Sequence, residues 1–409
     1  MGEHEGIKRR TFLAGAAVGT GLSILPAHTV FGAPANEKLK LGLIGCGNRG
    51  VWLSRLFEKH ANTKVTALHD YFKEQVDAAG EQFDVPPARR FIGLDGYKEL
   101  LATGVDAVAI ESPPYFHPAQ AKAAIEAGKH VFLAKPLAVD VPGCNTVLEA
   151  GAAAKGTRSF LVDFQTRADP LFREAAKRVH ERMIGAPVLG HFFYHCGRLN
   201  LKEKPGTEVA RLRNWCFDIA LSGDIIVEQN IHVLDVATWY LDAHPLKAHG
   251  CGGRKARTDA GDCWDHFVVA YTFPDEVRVD FSGAQFVYGF NDLCMRLHCE
   301  TGTVESHYGG PVHIKAKAGG WRGGETPQIY QQGAVNNMIA FEKSIRTGDY
   351  INNVEDAVRS TRTSILGRKA AYDNRAVTWE EMLADDKPLD PKLDLPKDGP
   401  MATRVPPQR

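Results

Sequence analysis

Gly45-Cys46-Gly47-Asn48-Arg49-Gly50 is a G-x-G-x-x-G run that directly follows the apolar segment Leu39–Ile44 and opens an amphipathic one. That setting suits a dinucleotide pyrophosphate. Gly45 permits the tight turn, Gly47 lets the backbone approach the phosphates, and Gly50 lets helix and strand pack closely. The amides of the helix that begins at Asn48 and Arg49 then hold the phosphate charge. Asp70 ends the next apolar segment, about twenty residues on, where a carboxylate accepts hydrogen bonds from a ribose 2′-hydroxyl and repels a 2′-phosphate. In that role it favours NAD over NADP, with Arg49 offsetting part of the repulsion; a helix cap is the plainer use of the same residue.

Glu228-x-x-x-His232 is the second group. On a helix, positions four apart project to one face about a turn from each other. A carboxylate and an imidazole so placed can share a substrate hydroxyl, His232 accepting its proton and Glu228 orienting the ring or binding substrate. Asp235 continues that face and is expected to hold the other nitrogen of His232. A polar pair on a helix surface is the alternative, against which the surrounding Ile225, Ile226, Val227, Ile231, Val233 and Leu234 argue burial.

The elements that must position these groups follow from periodicity. From Lys38 to about Asp163, apolar runs alternate with amphipathic stretches, as in a doubly wound parallel sheet. Strands are expected at Leu39–Ile44, Lys64–His69, Asp106–Ile110, His130–Leu133 and Ser159–Val162. Helices are expected at Arg49–His60, Tyr71–Phe83 and Pro118–Ala127, the last closed by a left-handed Gly128. After about Gly185 the strand-like segments crowd together (Pro187–Tyr194, His266–Phe273, Val277–Ala284, Cys294–Glu300, Thr303–Ser306), with one helix over Ile225–Leu241. That pattern predicts an α+β domain with a mostly antiparallel open sheet. Helices Ala334–Thr347 and Val354–Asn374 follow, then a proline- and charge-rich arm from Asp385. The expected division is 1–35, 36–163, 164–384 and 385–409.

The 409 residues suit two domains, and 44% hydrophobic with 24% charged residues is an ordinary globular balance. Forty-nine basic residues against forty-nine acidic ones leave no field that would recruit nucleic acid. Lys8-Arg9-Arg10-Thr11-Phe12-Leu13, a weakly apolar stretch to Leu25 and Ala33-Pro34-Ala35 read as an export signal of the twin-arginine type, and hence a periplasmic protein. A membrane anchor is the alternative, but the run is short of the ~18 apolar residues a span needs. Eight cysteines show no C-x-x-C pair and no zinc spacing, which predicts buried free thiols and no metal.

The run from His117-Pro118-Ala119-Gln120 through Gly128-Lys129-His130-Val131-Phe132-Leu133-Ala134-Lys135-Pro136, together with Gly223 to Asp235, resembles the signatures of the Gfo/Idh/MocA oxidoreductases, over roughly residues 38 to 380. The resemblance implies a Rossmann domain plus an α/β domain whose open sheet often mediates oligomer contacts, hence a dimer or tetramer. It places Lys135 beside the nicotinamide and the reacting carbinol, where a lysine stabilises developing alkoxide charge. It adds Ser112, Pro113, His117 and Gln165 to the cofactor residues. Ala134 departs from the usual Glu-Lys-Pro and removes a carboxylate. Sugar and inositol dehydrogenases of the family carry Asp-x-x-x-His where this chain has Glu228 and His232. Arg167, Arg213 and Trp215 are candidates for the substrate side: the tryptophan could stack on a pyranose, an arginine could bind an acidic sugar, and each could equally be a loop residue.

The leading expectation is therefore an NAD-dependent oxidoreductase acting on a hydroxyl of a sugar, polyol or glycoside. Free NAD is scarce outside the cytoplasm, so an exported enzyme of this kind suits a tightly held, recycled cofactor. The alternatives are a redox-neutral NAD-dependent glycosidase and a sugar-binding protein without turnover.

Overall fold

The computed structural model describes residues 37–400; the export-signal reading, on residues 1–35, lies outside the described residues. Six strands form the first sheet: β1 (Leu39–Ile44), β2 (Thr63–Asp70), β3 (Arg90–Ile92), β4 (Ala107–Ile110), β5 (His130–Ala134) and β6 (Phe160–Asp163). All neighbours are parallel, in the order β3-β2-β1-β4-β5-β6. This is the doubly wound arrangement, and its order reverses between β1 and β4. The strands are apolar on both faces because helices cover both. Leu41, Leu43, Ala107, Ala109, Phe132 and Leu161 pack with α1 (Asn48–His60) and the helix Ile329–Thr347, while Ile44, Val108, Ile110, Val131 and Leu133 face the other way.

The second sheet has nine strands: β7 (Pro187–His195), β8 (Lys247–Gly253), β9 (His266–Thr272), β10 (Arg278–Ala284), β11 (Asp292–Cys299), β12 (Gly302–His307), β13 (Pro311–Ala316), β14 (Trp321–Glu325) and β15 (Ala376–Thr378). Only β7–β10 is a parallel pair; the rest are antiparallel. The helices Ile231–Leu241 and Val354–Asp373 pack on one face, where Phe192, Val279, Phe281 and Leu297 are buried. On the opposite face Leu189 and Val268 are exposed. The glycine-rich β8 and the short β3, β14 and β15 escaped the periodicity reading because they carry little apolar alternation, and β13 escaped it although Val312 and Ile314 alternate there.

The expected helix over Ile225–Leu241 is in fact two. Ile225–Glu228 makes one turn, the chain breaks at Gln229-Asn230, and Ile231–Leu241 resumes. Asp224 starts the first piece: its buried carboxylate accepts from the Ile225 amide at 2.6 Å and from the Tyr372 hydroxyl at 2.6 Å. Among the described residues no helix is long and apolar enough to cross a membrane, and all eight cysteines are free.

Candidate functional site

The glycine loop lies at the reversal of strand order. Gly45 has φ +97°, and a Cβ there would meet the Glu111 carbonyl carbon at 2.6 Å; a Cβ on Gly50 would meet the Gly45 oxygen at 2.0 Å. Neither position admits a side chain. Gly47 lies open, its nearest neighbour 3.6 Å from a hypothetical Cβ, and no side chain caps the first turn of α1. Those amides and that open backbone fit a pyrophosphate. Asp70 sits at the end of β2. Its Oδ2 accepts from the Cys46 amide at 2.7 Å and its Oδ1 from the Phe72 amide at 2.9 Å, fixing the carboxylate against the loop. Burial raises its pKa to about 6. The loop, the amides from Asn48 and Arg49 onward, and Asp70 are thus the residues that would hold NAD, which when bound supplies a hydride acceptor.

Beyond the loop, at the ends of β4–β6, charge is concentrated. Arg49 reaches Glu111 with Nε at 3.2 Å and Asp163 with Nη2 at 2.9 Å, and both carboxylates are fully buried. Asp163 also accepts from Gln165 at 3.0 Å and from Asn337 at 2.9 Å. Gln165 accepts in turn from the Tyr308 hydroxyl at 3.4 Å, so it stands in the wall of the cleft. The Arg49 guanidinium donates to the Tyr330 hydroxyl at 3.0 Å, and Tyr330 stacks on Trp52.

Lys135 follows β5. Its Nζ lies 3.1 Å from Glu228 Oε1 and also donates to the Glu228 carbonyl. His232 is near: Lys135 and Arg49 both act on it, and burial, the larger cause, holds its imidazole well below the usual range. It is neutral, with Nδ1 lacking any partner, and its ring lies 5.4 Å from that of Tyr308. A neutral imidazole with a free nitrogen can take a proton from a hydroxyl. Lys135 held by a carboxylate can hold the oxygen left behind. So Lys135, Glu228 and His232 come together although the helix expected to carry the last two is interrupted.

Asp235 does not hold His232. It is fully buried and engaged by Arg167, whose Nε lies 3.0 Å from each carboxylate oxygen and whose Nη2 lies 2.9 Å from Oδ1; Ser360 donates to it at 2.7 Å. His232 and Asp235 share the helix Ile231–Leu241, and it is the Arg167 charge and the Ser360 hydroxyl that take up the carboxylate. The same pair removes Arg167 from the substrate candidates, because its charge is consumed within the fold. Arg213 is also placed elsewhere. Its guanidinium lies 3.8 Å over the Phe72 ring and it pairs with Glu74 and Glu203, at the Asp70 end of the cleft. Trp215 packs there too, in a cluster with Tyr71, Phe72, Leu94 and Leu212.

Ser112 Oγ donates to Gln120 at 2.5 Å, and Pro113 ends the loop just before a short 3-10 turn. His117 is buried, with Nδ1 2.7 Å from the Pro136 oxygen and Nε2 2.8 Å from the Ser112 oxygen. Its ring is used up in tying the two loops together, so it shapes the cleft rather than facing it. Burial lowers its pKa to about 4. The sequence reading missed Tyr308 and Tyr330, which lie in no motif and arrive only through the second sheet and the late helix. It also missed a donor set on β11 and β12, where Asp292, Cys294 and His307 each bring an atom within 4.8 Å of the others. Strand pairing makes that set, so spacing along the chain could not show it.

A parallel sheet with a glycine loop at its switch point, a carboxylate ending β2 and a lysine–carboxylate–imidazole cluster at the strand ends define a nicotinamide-dinucleotide oxidoreductase. Residues 39–164 match the model of the oxidoreductase family with NAD-binding Rossmann fold, and 172–305 match the GFO/IDH/MocA C-terminal domain. Inositol 2-dehydrogenase of Burkholderia multivorans is 30% identical over 262 residues, 63% of this chain and 70% of that protein. That of Acidothermus cellulolyticus is 28% identical over 271 residues, 66% of this chain and 73% of that protein. The fold matches aldose-aldose oxidoreductase of Caulobacter crescentus with a TM-score of 0.69 at 20% identity, over 84% of this chain and 100% of that one. Levoglucosan dehydrogenase in complex with NADH and levoglucosan matches with a TM-score of 0.70 at 18% identity, over 84% and 99%. The chain belongs to the Gfo/Idh/MocA oxidoreductase family and is an NAD-dependent oxidoreductase.

Proposed function

We propose that the chain oxidises a hydroxyl-bearing carbon of a sugar, polyol or glycoside, with Lys135, Glu228 and His232 as its acid–base group. The observation that carries this is the neutral, unpartnered His232 beside an ion-paired Lys135 at the carboxyl ends of the Rossmann strands. His232 would take the hydroxyl proton, Lys135 would stabilise the developing oxyanion, and Glu228 would hold Lys135 in place. The relatives' names, inositol, aldose and levoglucosan enzymes among them, support a polyhydroxylated substrate. A panel of sugars, inositols and glycosides, read by nicotinamide absorbance and by product analysis, tests it. No turnover on any polyol would favour a binding protein instead.

The cofactor is held tightly and recycled in this reading. Support comes from the segment after Asp385, which runs back across the Asp70 end of the cleft. The Leu94 amide donates to the Lys397 oxygen at 2.7 Å, Arg211 donates to the Pro391 oxygen at 2.8 Å, and Leu393 and Leu395 pack with Tyr71 and Phe72. Purified protein should then carry NAD(H), and product should exceed bound cofactor many-fold without added NAD⁺. Product that tracks added NAD⁺ one to one would leave an ordinary dehydrogenase.

Export by a twin-arginine signal and a periplasmic location belong to the same reading, resting on Arg9 and Arg10 ahead of the apolar stretch. Arg9→Lys with Arg10→Lys should retain the protein in the cytoplasm on fractionation. Copies would pair through the second sheet's open face, where Leu189 and Val268 are exposed; sedimentation of a Val268→Lys variant, expected as monomer, tests that.

A further inference from the structure

Glu111 takes no part in the chemistry above, yet it is a fully buried carboxylate just past the end of β4, against the glycine loop. Alternation along the strands puts Ala109, Phe132 and Leu161 on the face that α1 covers, and two residues further on brings Glu111, Ala134 and Asp163 to that same face. Ile110 pairs with Leu133 and Ala134 with Asp163, so the three stand in one row at the strand ends. The Ala134 methyl leaves the middle of the row open, and the Arg49 guanidinium bridges the two carboxylates there. Oε1 of Glu111 has no partner, and Oε2 has only the Arg49 Nε at 3.2 Å. Arg49 and Lys135 supply two positive charges against Glu111, Asp163 and Glu228. With all three carboxylates ionised, one buried negative charge is uncompensated, and such a group holds a proton instead.

Asp70 marks the adenosine half of the crevice, which leaves the β4–β6 half for the nicotinamide. We propose that Glu111 matches the charge of that ring: it carries a proton in the free protein and releases it to solvent when the oxidised, cationic nucleotide binds, so the site prefers NAD⁺ to NADH. This rests on the assignment of NAD to the cleft. Burial pushes the Glu111 carboxyl up to about 8, Asp163 adds to it, and Arg49 and Lys135 pull the other way. The remaining groups facing the row are His232, kept neutral by burial, and Tyr308 and Tyr330, which act on Asp163 and Arg49. The carboxyl is therefore mostly protonated at pH 7 and has a proton to give. The arrangement also accounts for alanine at 134: a third carboxylate in the row would compete for Arg49.

Calorimetric titration at pH 7, in two buffers of different ionisation heat, reads the proton directly. The full-length protein should release close to one proton with NAD⁺ and almost none with NADH. Glu111→Gln, which keeps the shape, should abolish the release and lower the NAD⁺:NADH affinity ratio by roughly tenfold, while NADH still binds. Glu111→Ala combined with Ala134→Glu should restore both, because 134 lies in the same row. Equal release with the two nucleotides, or release persisting in Glu111→Gln, overturns the proposal while NADH binding leaves the cofactor assignment standing. Should neither nucleotide bind the unmodified protein, both fall together. Comparing NAD⁺ with NADH on unmodified protein decides the matter even if a variant folds poorly.

Discussion

Lys135 Nζ stands 3.1 Å from Glu228 Oε1, an ion pair between the end of β5 and the single helical turn Ile225–Glu228. It joins the parallel sheet, which supplies the lysine, to the segment that supplies His232 four residues later. The interruption at Gln229-Asn230 lets Glu228 reach Lys135 while His232 turns into the cleft under Tyr308.

If that pair and His232 do the acid–base work, Lys135→Ala and His232→Ala should each lower kcat by roughly 10²–10⁴. NADH affinity, followed by fluorescence quenching, should change by only a few-fold. Near-normal turnover in both variants would move the chemistry elsewhere.

If Asp70 meets the ribose 2′-hydroxyl, it sets the choice of nucleotide. NAD(H) should bind at least about tenfold more tightly than NADP(H), equivalent to about 1.4 kcal/mol. The preference has a pH sign. Burial raises the Asp70 pKa to about 6; above that value the carboxylate is charged and repels a 2′-phosphate, and below it the repulsion fades. Affinity ratios measured from pH 5 to 8 should therefore rise through about pH 6, and Asp70→Asn should flatten the curve.

Arg167 and Asp235 are structural partners, so removing the cation strands a buried carboxylate. Arg167→Met should destabilise the protein by about 3–5 kcal/mol, the range for breaking a buried pair. Arg167→Met with Asp235→Leu should recover much of it, read by denaturant unfolding. A variant that keeps its stability but loses substrate affinity would return Arg167 to the substrate side.

Deleting residues from Lys387 onward uncovers Tyr71, Phe72 and Leu94, against which Leu393 and Leu395 pack. Dissociation of NADH should accelerate by tenfold or so (about 1.4 kcal/mol of lost closure). Competition by ADP-ribose should weaken alongside it, since the arm crosses the adenosine half. Unchanged release kinetics would show that the arm plays no part in retention.

The cofactor half of the site was legible in the sequence because its determinants are local. Gly45, Gly47, Gly50 and Asp70 act through a turn, a helix end and one strand end, and the alternation of β1 through β6 dictates where those fall. The acid–base half was legible as residue types but not as an arrangement. Glu228-x-x-x-His232 has helical spacing, and only the structure shows that the helix breaks at Gln229-Asn230, so that the two residues meet at Lys135 from two separate helical pieces. Asp235 shows the same limit: its spacing points at His232, but Arg167 arrives from the end of β6 with a full charge, which wins over a neutral imidazole in a buried setting. Glu111, Ala134 and Asp163 are separated by more than twenty residues each and meet because parallel pairing sets them level. Local spacing can encode a turn or a cap. Which charges share a buried row depends on register and on what each carboxylate must neutralise, and those are decided when the sheets pack.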